Sequence, residues 1–173
     1  LAGFTERAGR VACLRGGDRE GSVTMICAVS PPGGDFSEPV TQSSLRVAGS
    51  LWALDPTLAH RRHFPAINPR MSYSLYHDRL QGFLSSRVAN RWTENARSAI
   101  SLLQKEEEIR EVVQLVGIDS ISDQERIFLD TGKMIREAFL FQNAYHREDS
   151  FCPLEKQSYM LATILILHRD MLD

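Results

Sequence analysis

Asp35, Ser37 and Glu38 stand within the segment SPPGGDFSEPVTQ, Ser30 to Gln42, where three prolines and two glycines surround two carboxylates. Pro31 and Pro32 fix φ and remove backbone donors, and Gly33-Gly34 permits positive φ. The acids therefore stand on a stiffened loop, which is either a rigid connection between strands or a surface that presents charge to a partner. A second candidate, DTGKM (Asp130 to Met134), carries the Gly-Lys pair of a phosphate loop. That motif needs a glycine five residues before the second one and Ser or Thr after the lysine, and the chain has Ile127 and Met134 there. The segment also falls inside a helical pattern, so Gly132 reads as a close-packing residue. His60 and His63 are spaced to share a metal, but with Arg61 and Arg62 between them they read as a cationic helix end. No Ser-His-Asp order and no nucleophile elbow occurs. These residues contain no complete catalytic machine, and neither a catalytic residue nor a metal site is expected among them.

The elements that must position these residues fall into two unlike halves. GSVTMICAVS (Gly21 to Ser30) is β-branched and bounded by Gly and Pro, which predicts a buried strand. LRVAGSLWAL (Leu45 to Leu54) reads as a second strand, interrupted by Gly49. Asp55-Pro56 is an N-cap followed by Pro at N1, predicting a short helix through TLAHRRH, after which FPAINP returns to extended chain. From Ser72 the period changes to 3.6, with Tyr73, Tyr76, Leu80 and Phe83 on one helical face. Ile100, Leu103, Ile109, Val113 and Val116 mark a second helix that Gly117 caps, and its KEEEIRE run reads as a solvated side. Ser122 with Glu125 forms a capping box that starts a third helix through about Gln142. Pro153 opens a fourth, with Leu161, Ile164, Leu165 and Leu167 inward.

The totals limit what such a chain does. With 173 residues there is room for one ordinary domain or two small ones, and 43% hydrophobic residues is a globular composition. A net charge of −2 argues against a protein that binds nucleic acid through its phosphates. MLATILIL (Met160 to Leu167) is far short of a membrane span and reads as a buried helix face, and LAGFTERAGR has no apolar signal core. Cys13, Cys27 and Cys152 show no C-x-x-C spacing, which favours reduced thiols in a cytosolic compartment. The first residue is Leu rather than Met, as expected of a piece of a longer chain.

Taken in order, ERAGRV, GSVT, AVSPPGGDFSEPVTQ, LWALD, RRHFPAIN, SYSLY, VQLVGID, QNAYH and LEKQ closely resemble the C-terminal portion of the catalytic A subunit of V/A-type rotary ATPases. The resemblance covers essentially the whole chain. It implies an α+β fold: residues 1–70 as the C-terminal edge of a RecA-like α/β nucleotide-binding domain, then residues 71–173 as an antiparallel α-helical bundle. By that resemblance Phe64 lies against adenine, with Asn143, Ala144 and Tyr145 on its other side. Asp35, Ser37 and Glu38 face the central rotor stalk, and GIDSISDQER, with Asp119 and Ser120, forms a tip that meets the same shaft. The family's phosphate loop and metal ligands lie upstream of Glu6, so the isolated chain should be inactive and should hold no nucleotide tightly.

The implied parent couples ATP hydrolysis or synthesis to rotary ion transport. It uses ATP or ADP with Mg2+, alternates with B subunits in an A3B3 hexamer, and drives a membrane ion-translocating sector from the cytoplasmic face. No nucleic-acid partner is implied. A non-catalytic B-type or secretion-type homologue, or a stand-alone helical interaction module, is the alternative. One departure from the family pattern is Pro69-Arg70, where members usually carry Trp and an apolar residue, and it leaves open how the first bundle helix docks.

Overall fold

The computed structural model describes residues 2–14 and 18–173, which form two compact units, Leu1–Leu51 and Trp52–Asp173. In the first, α1 (Ala2–Thr5) precedes a hairpin of β1 (Gly9–Ala12) and β2 (Glu20–Val23). The strands are antiparallel, with Gly9 opposite Val23 and Ala12 opposite Glu20, and Arg10 forms an ion pair with Glu20. A 3₁₀ turn, Pro32–Gly34, leads to α2 (Pro39–Val47) and a two-residue strand, β3 (Ser50–Leu51).

Two expected strands are corrected here. Of Gly21–Ser30 only the first three residues are strand, and Ile26 is 83% exposed. A buried strand needs ladder partners on both sides, and among the described residues Thr24–Ser30 has none. Leu45–Val47 ends a helix instead of opening a strand. The helix starts because Pro39 occupies N1 and the Glu38 carboxylate accepts the Thr41 N–H at 2.8 Å. Local capping outweighs β-propensity here, and only Ser50–Leu51 of the expected strand is extended.

The second unit carries α3 (Pro56–His60), β4 (Tyr73–Ser74), α4 (His77–Arg87), α5 (Trp92–Val116), α6 (Asp123–Met134), α7 (Arg147–Ser150) and α8 (Leu154–Leu172). Asp55 caps α3 as expected, accepting the Thr57 N–H at 2.7 Å. The helix expected from Ser72 begins only at His77, so Tyr73, Tyr76, Leu80 and Phe83 do not share a buried face and all four are exposed. Gly117, at φ 86°, terminates α5, and the Ser122–Glu125 capping box opens α6 with both reciprocal bonds formed. After Met134 the helix widens into a π turn, Ile135–Leu140, so the α-helix stops short of Gln142.

The core lies where α5, α6 and α8 meet. Ala99, Leu102, Leu103, Ile135, Leu161 and Ile164 are buried together, with Phe128, Phe139 and Leu165 packed against them. Leu167, expected inward, is largely exposed. Thr131 is fully buried and its Oγ1 lies 2.8 Å from Nδ1 of His168, whose ring meets Phe128 edge-on at 5.0 Å. The KEEEIRE run is only partly a solvated side. Glu106 is 3% exposed and takes ion pairs from Arg110 and Arg136. Gly132 makes room for it, since an added Cβ would meet Glu106 Cβ at 2.8 Å and Cδ at 2.9 Å.

Candidate functional site

Phe64 follows the end of α3, where Arg62 turns the chain with φ 57°, and the Phe64–Pro65 peptide is cis. The turn that carries it is tied on both sides. Asp55 N–H donates to the Ala66 carbonyl at 2.9 Å, Asn68 N–H to the Ala53 carbonyl at 2.8 Å, and Asn68 Nδ2 to the second oxygen of Asp55 at 3.0 Å. Burial works against the Asp55 charge, but the hydrogen bonds from Asn68 and Thr57 outweigh it and hold the carboxyl below its ordinary value. Phe64 itself keeps 50% of its surface exposed, so its ring is available to a ligand.

The second segment arrives from the π turn. Gln142 N–H donates to the Phe64 carbonyl at 2.7 Å, and the rings of His63 and Phe141 lie 5.7 Å apart, tilted at 56°. The turn carrying Phe64 and the end of the long helical segment thus sit side by side, although far apart in sequence. Burial lowers the pKa of His63, and the positive charge of Arg136 lowers it further against the opposing pull of Glu137. A neutral imidazole can pack on Phe141 without carrying a charge into the contact.

Beyond Gln142 the backbone is fixed by its own polar groups. Asn143 N–H donates to Asp149 Oδ2 at 2.8 Å, Tyr145 N–H to Asn143 Oδ1 at 3.0 Å, and Ser150 Oγ to the Ala144 carbonyl at 2.6 Å. Asn143 and Ala144 therefore serve as a scaffold, with the Asn143 side-chain oxygen engaged in the turn. Tyr145 is fully exposed, at 100%, and projects from that scaffold. A hollow of about 660 Å³ lies elsewhere, against Ala138, Tyr159, Met160 and Ile164, and touches none of Phe64, Asn143, Ala144 and Tyr145. It is open and its surface is chiefly apolar, with Glu155 and Lys156 at its lining, and the candidate site is a wall rather than an enclosed pocket.

The acids of the first unit are occupied locally. Asp35 Oδ1 accepts the Ser37 Oγ–H at 2.7 Å and the Ser37 N–H at 2.9 Å, while Glu38 caps α2 through the N–H and hydroxyl of Thr41. The Ser37 hydroxyl lowers the pKa of Asp35 most, and the Thr41 N–H that of Glu38. Gly33 and Gly34 adopt φ 63° and 76°, the left-handed turn that glycine favours here. Asp119 and Ser120 sit in an exposed 3₁₀ turn, Ile118–Ser120, with Ser120 Oγ donating to the Val116 carbonyl at 2.9 Å. Leu115, Val116 and Ile118 around them are exposed too.

Sequence reasoning read His63 as part of a cationic helix end, whereas burial and Arg136 favour its neutral ring, and it missed Gln142 and Arg136. Gln142 works through its backbone, which no side-chain pattern marks, and Arg136 acts from a π turn that helical periodicity cannot anticipate. Among the described residues no group of three or more His, Cys, Asp or Glu could hold a metal, and no helix is long and apolar enough to cross a membrane.

Residues 81–173 match the family described as the C-terminal domain of V and A type ATP synthase, and residues 1–74 match the ATP synthase alpha/beta family, nucleotide-binding domain. The A subunit of the A-type ATP synthase of Methanopyrus kandleri is 56% identical over 165 residues, covering 95% of this chain and 28% of its own length. A second such A subunit, that of the A-type ATP synthase 2 of Methanospirillum hungatei, is 54% identical over the same shares of the two chains. The V-type ATP synthase alpha chain of Thermoanaerobacter pseudethanolicus is 51% identical over 98% of this chain and 29% of its own. This chain thus spans less than a third of the length of these relatives. A solved structure, the ATP synthase subunit NeqB from Nanoarcheaum equitans, matches 86% of this chain and 35% of that one with a TM-score of 0.73, and its 22% identity speaks for the fold alone. The strand-and-turn stretch ahead of the bundle is accordingly the edge of a nucleotide-binding domain, the fold is α+β, and the chain belongs to the V and A type ATP synthase family.

Proposed function

We propose that this chain is the C-terminal part of the catalytic A subunit of a V/A-type rotary ATPase and forms one wall of its adenine site. The observation that carries the reading is the Gln142 N–H to Phe64 carbonyl bond of 2.7 Å, which brings the Phe64 turn beside the segment leading to Asn143, Ala144 and Tyr145. A stand-alone helical module has no need of that juxtaposition. The exposed Phe64 and Tyr145 rings suit a base, because aromatic stacking accepts any flat heterocycle. In this reading residues 1–70 close the nucleotide-binding domain and residues 71–173 form the lever that converts its closing into torque.

The parent reaction is attack of water on the γ-phosphate of ATP, or its reversal in synthesis, and magnesium supplies charge compensation there when bound. This chain's own part is to hold the base and transmit movement. Asp35, Ser37 and Glu38 on the proline-glycine loop, and Asp119 and Ser120 at the tip, face the central stalk. Because Asp35 and Glu38 already satisfy Ser37 and Thr41, the loop contributes a fixed shape as much as charge. The partners are B subunits in an A3B3 hexamer, the stalk and, through it, the membrane sector, with the assembly on the cytoplasmic face. Phe64→Ala in the full-length protein should weaken ADP binding by about 1–3 kcal/mol, the worth of one lost base stack, and leave hexamer assembly intact. Unchanged affinity would overturn the wall.

A further inference from the structure

The acidic run of α5 has a use that its sequence does not advertise. Glu106 and Glu107 point about 100° apart around the helix, so they reach different segments. Glu106 is buried and pairs with Arg136 in the π turn, and Glu107, half-buried, pairs with Arg70. These two arginines bracket the wall. The Arg136 carbonyl accepts the Phe141 N–H at 2.8 Å, and the next N–H, of Gln142, is the one that holds Phe64. On the other flank Arg70 N–H donates to Asn68 Oδ1 at 3.0 Å, and Asn68 in turn ties the Phe64 turn to Asp55.

Gly132 is an independent sign that this is a built arrangement. Its missing Cβ leaves the space that the Glu106 side chain fills, so α6 accommodates the acid at this one position. The arginine charge beside His63, which helps keep that ring neutral against Phe141, comes from the same pair.

We propose that Glu106 and Glu107 are positioning residues for the adenine wall: they anchor its two flanks, through Arg136 and Arg70, to the helix whose far end forms the Ile118–Ser120 tip. The pair at Pro69-Arg70, where the sequence departs from the family pattern, then has a role, since Arg70 is the anchor on the bundle side. A tip displaced by a partner moves α5, and α5 carries both rims of the wall with it. The inference rests on the proposed adenine wall, and its test separates the two.

Glu106→Gln, Glu107→Gln and Arg136→Lys are compared with Phe64→Ala. Hydrogen exchange at the Gln142 amide is read in this chain, and ADP affinity with ATP KM and kcat in the full-length protein. Each carboxamide variant should speed Gln142 exchange while the Leu161 and Ile164 amides stay protected. Each should also raise the ADP dissociation constant about tenfold, with the loss falling on KM rather than kcat. Arg136→Lys, which keeps the charge, should retain most of the affinity. The partly exposed Glu107 pair keeps the test open should Glu106→Gln fail to fold. Gln142 exchange unchanged in a folded variant, or ADP affinity unchanged where Phe64→Ala lowers it, overturns the anchoring. Affinity unmoved by Phe64→Ala removes the wall itself, and the anchoring with it.

Discussion

The two compact units use similar apolar content in opposite ways. In Leu1–Leu51, Val11, Val23, Ile26 and Val40 are exposed, and Thr41 is the only buried residue among those described. That unit is shaped by a hairpin, a proline-fixed helix start and an Asp–Ser turn, all of them local. In Trp52–Asp173, α5, α6 and α8 bury a shared apolar cluster and enclose polar pairs, Thr131 with His168 and Glu106 with its arginines. Local signals are enough to choose an element, but only apposed faces make a core.

The largest test of that contrast is a matched pair of truncations. Leu161→Ala, at a site 2% exposed, should destabilise the chain by about 2–5 kcal/mol in denaturant unfolding. Ile26→Ala should stay within about 0.5 kcal/mol. Equal effects would erase the distinction between the units. Gly132→Ala is next. Alanine is the better helix former by about 1 kcal/mol, yet the crowding against Glu106 should make the variant less stable by about 1–3 kcal/mol. A more stable variant would show that the Glu106 side chain moves aside freely.

Ser122→Ala removes the acceptor of the Glu125 N–H and should cost about 0.5–2 kcal/mol, read as a lower melting temperature. The smallest effect concerns pH. Burial lowers the pKa of His168 in the fold, so the unfolded chain binds the proton more readily. Stability should be level above the unfolded pKa, about 6.5, and fall as the pH drops below it towards the folded value. His63, lowered chiefly by burial as well, adds a slope of the same sign. His168→Gln should flatten the melting-temperature profile between about pH 7.5 and 5.5. A profile as steep as the parent's would assign the slope to other groups.

What was legible in the sequence follows the same division. Caps and glycines are local, so the Asp55 cap, the Ser122–Glu125 box, the Gly117 stop and the close packing at Gly132 were all readable. The strand expected over Leu45–Leu54 shrank to Ser50–Leu51 because the capped helix that starts at Pro39 runs on through Val47. The burial of Glu106 was hidden because an acid in a charged run looks solvated until an arginine thirty residues away is folded against it. Phe64 and the QNAY segment were marked by resemblance, while the bond between them rests on backbone atoms that every residue shares.

The central claim is that Phe64 and Tyr145 border one adenine. Photolabelling of the full-length protein with 2-azido-ADP, followed by mass spectrometry, tests it directly. The account predicts label in peptides covering residues 61–70 and 142–146, competed away by ADP and reduced in Phe64→Ala. Label confined to other segments, with these two unmodified, would contradict it.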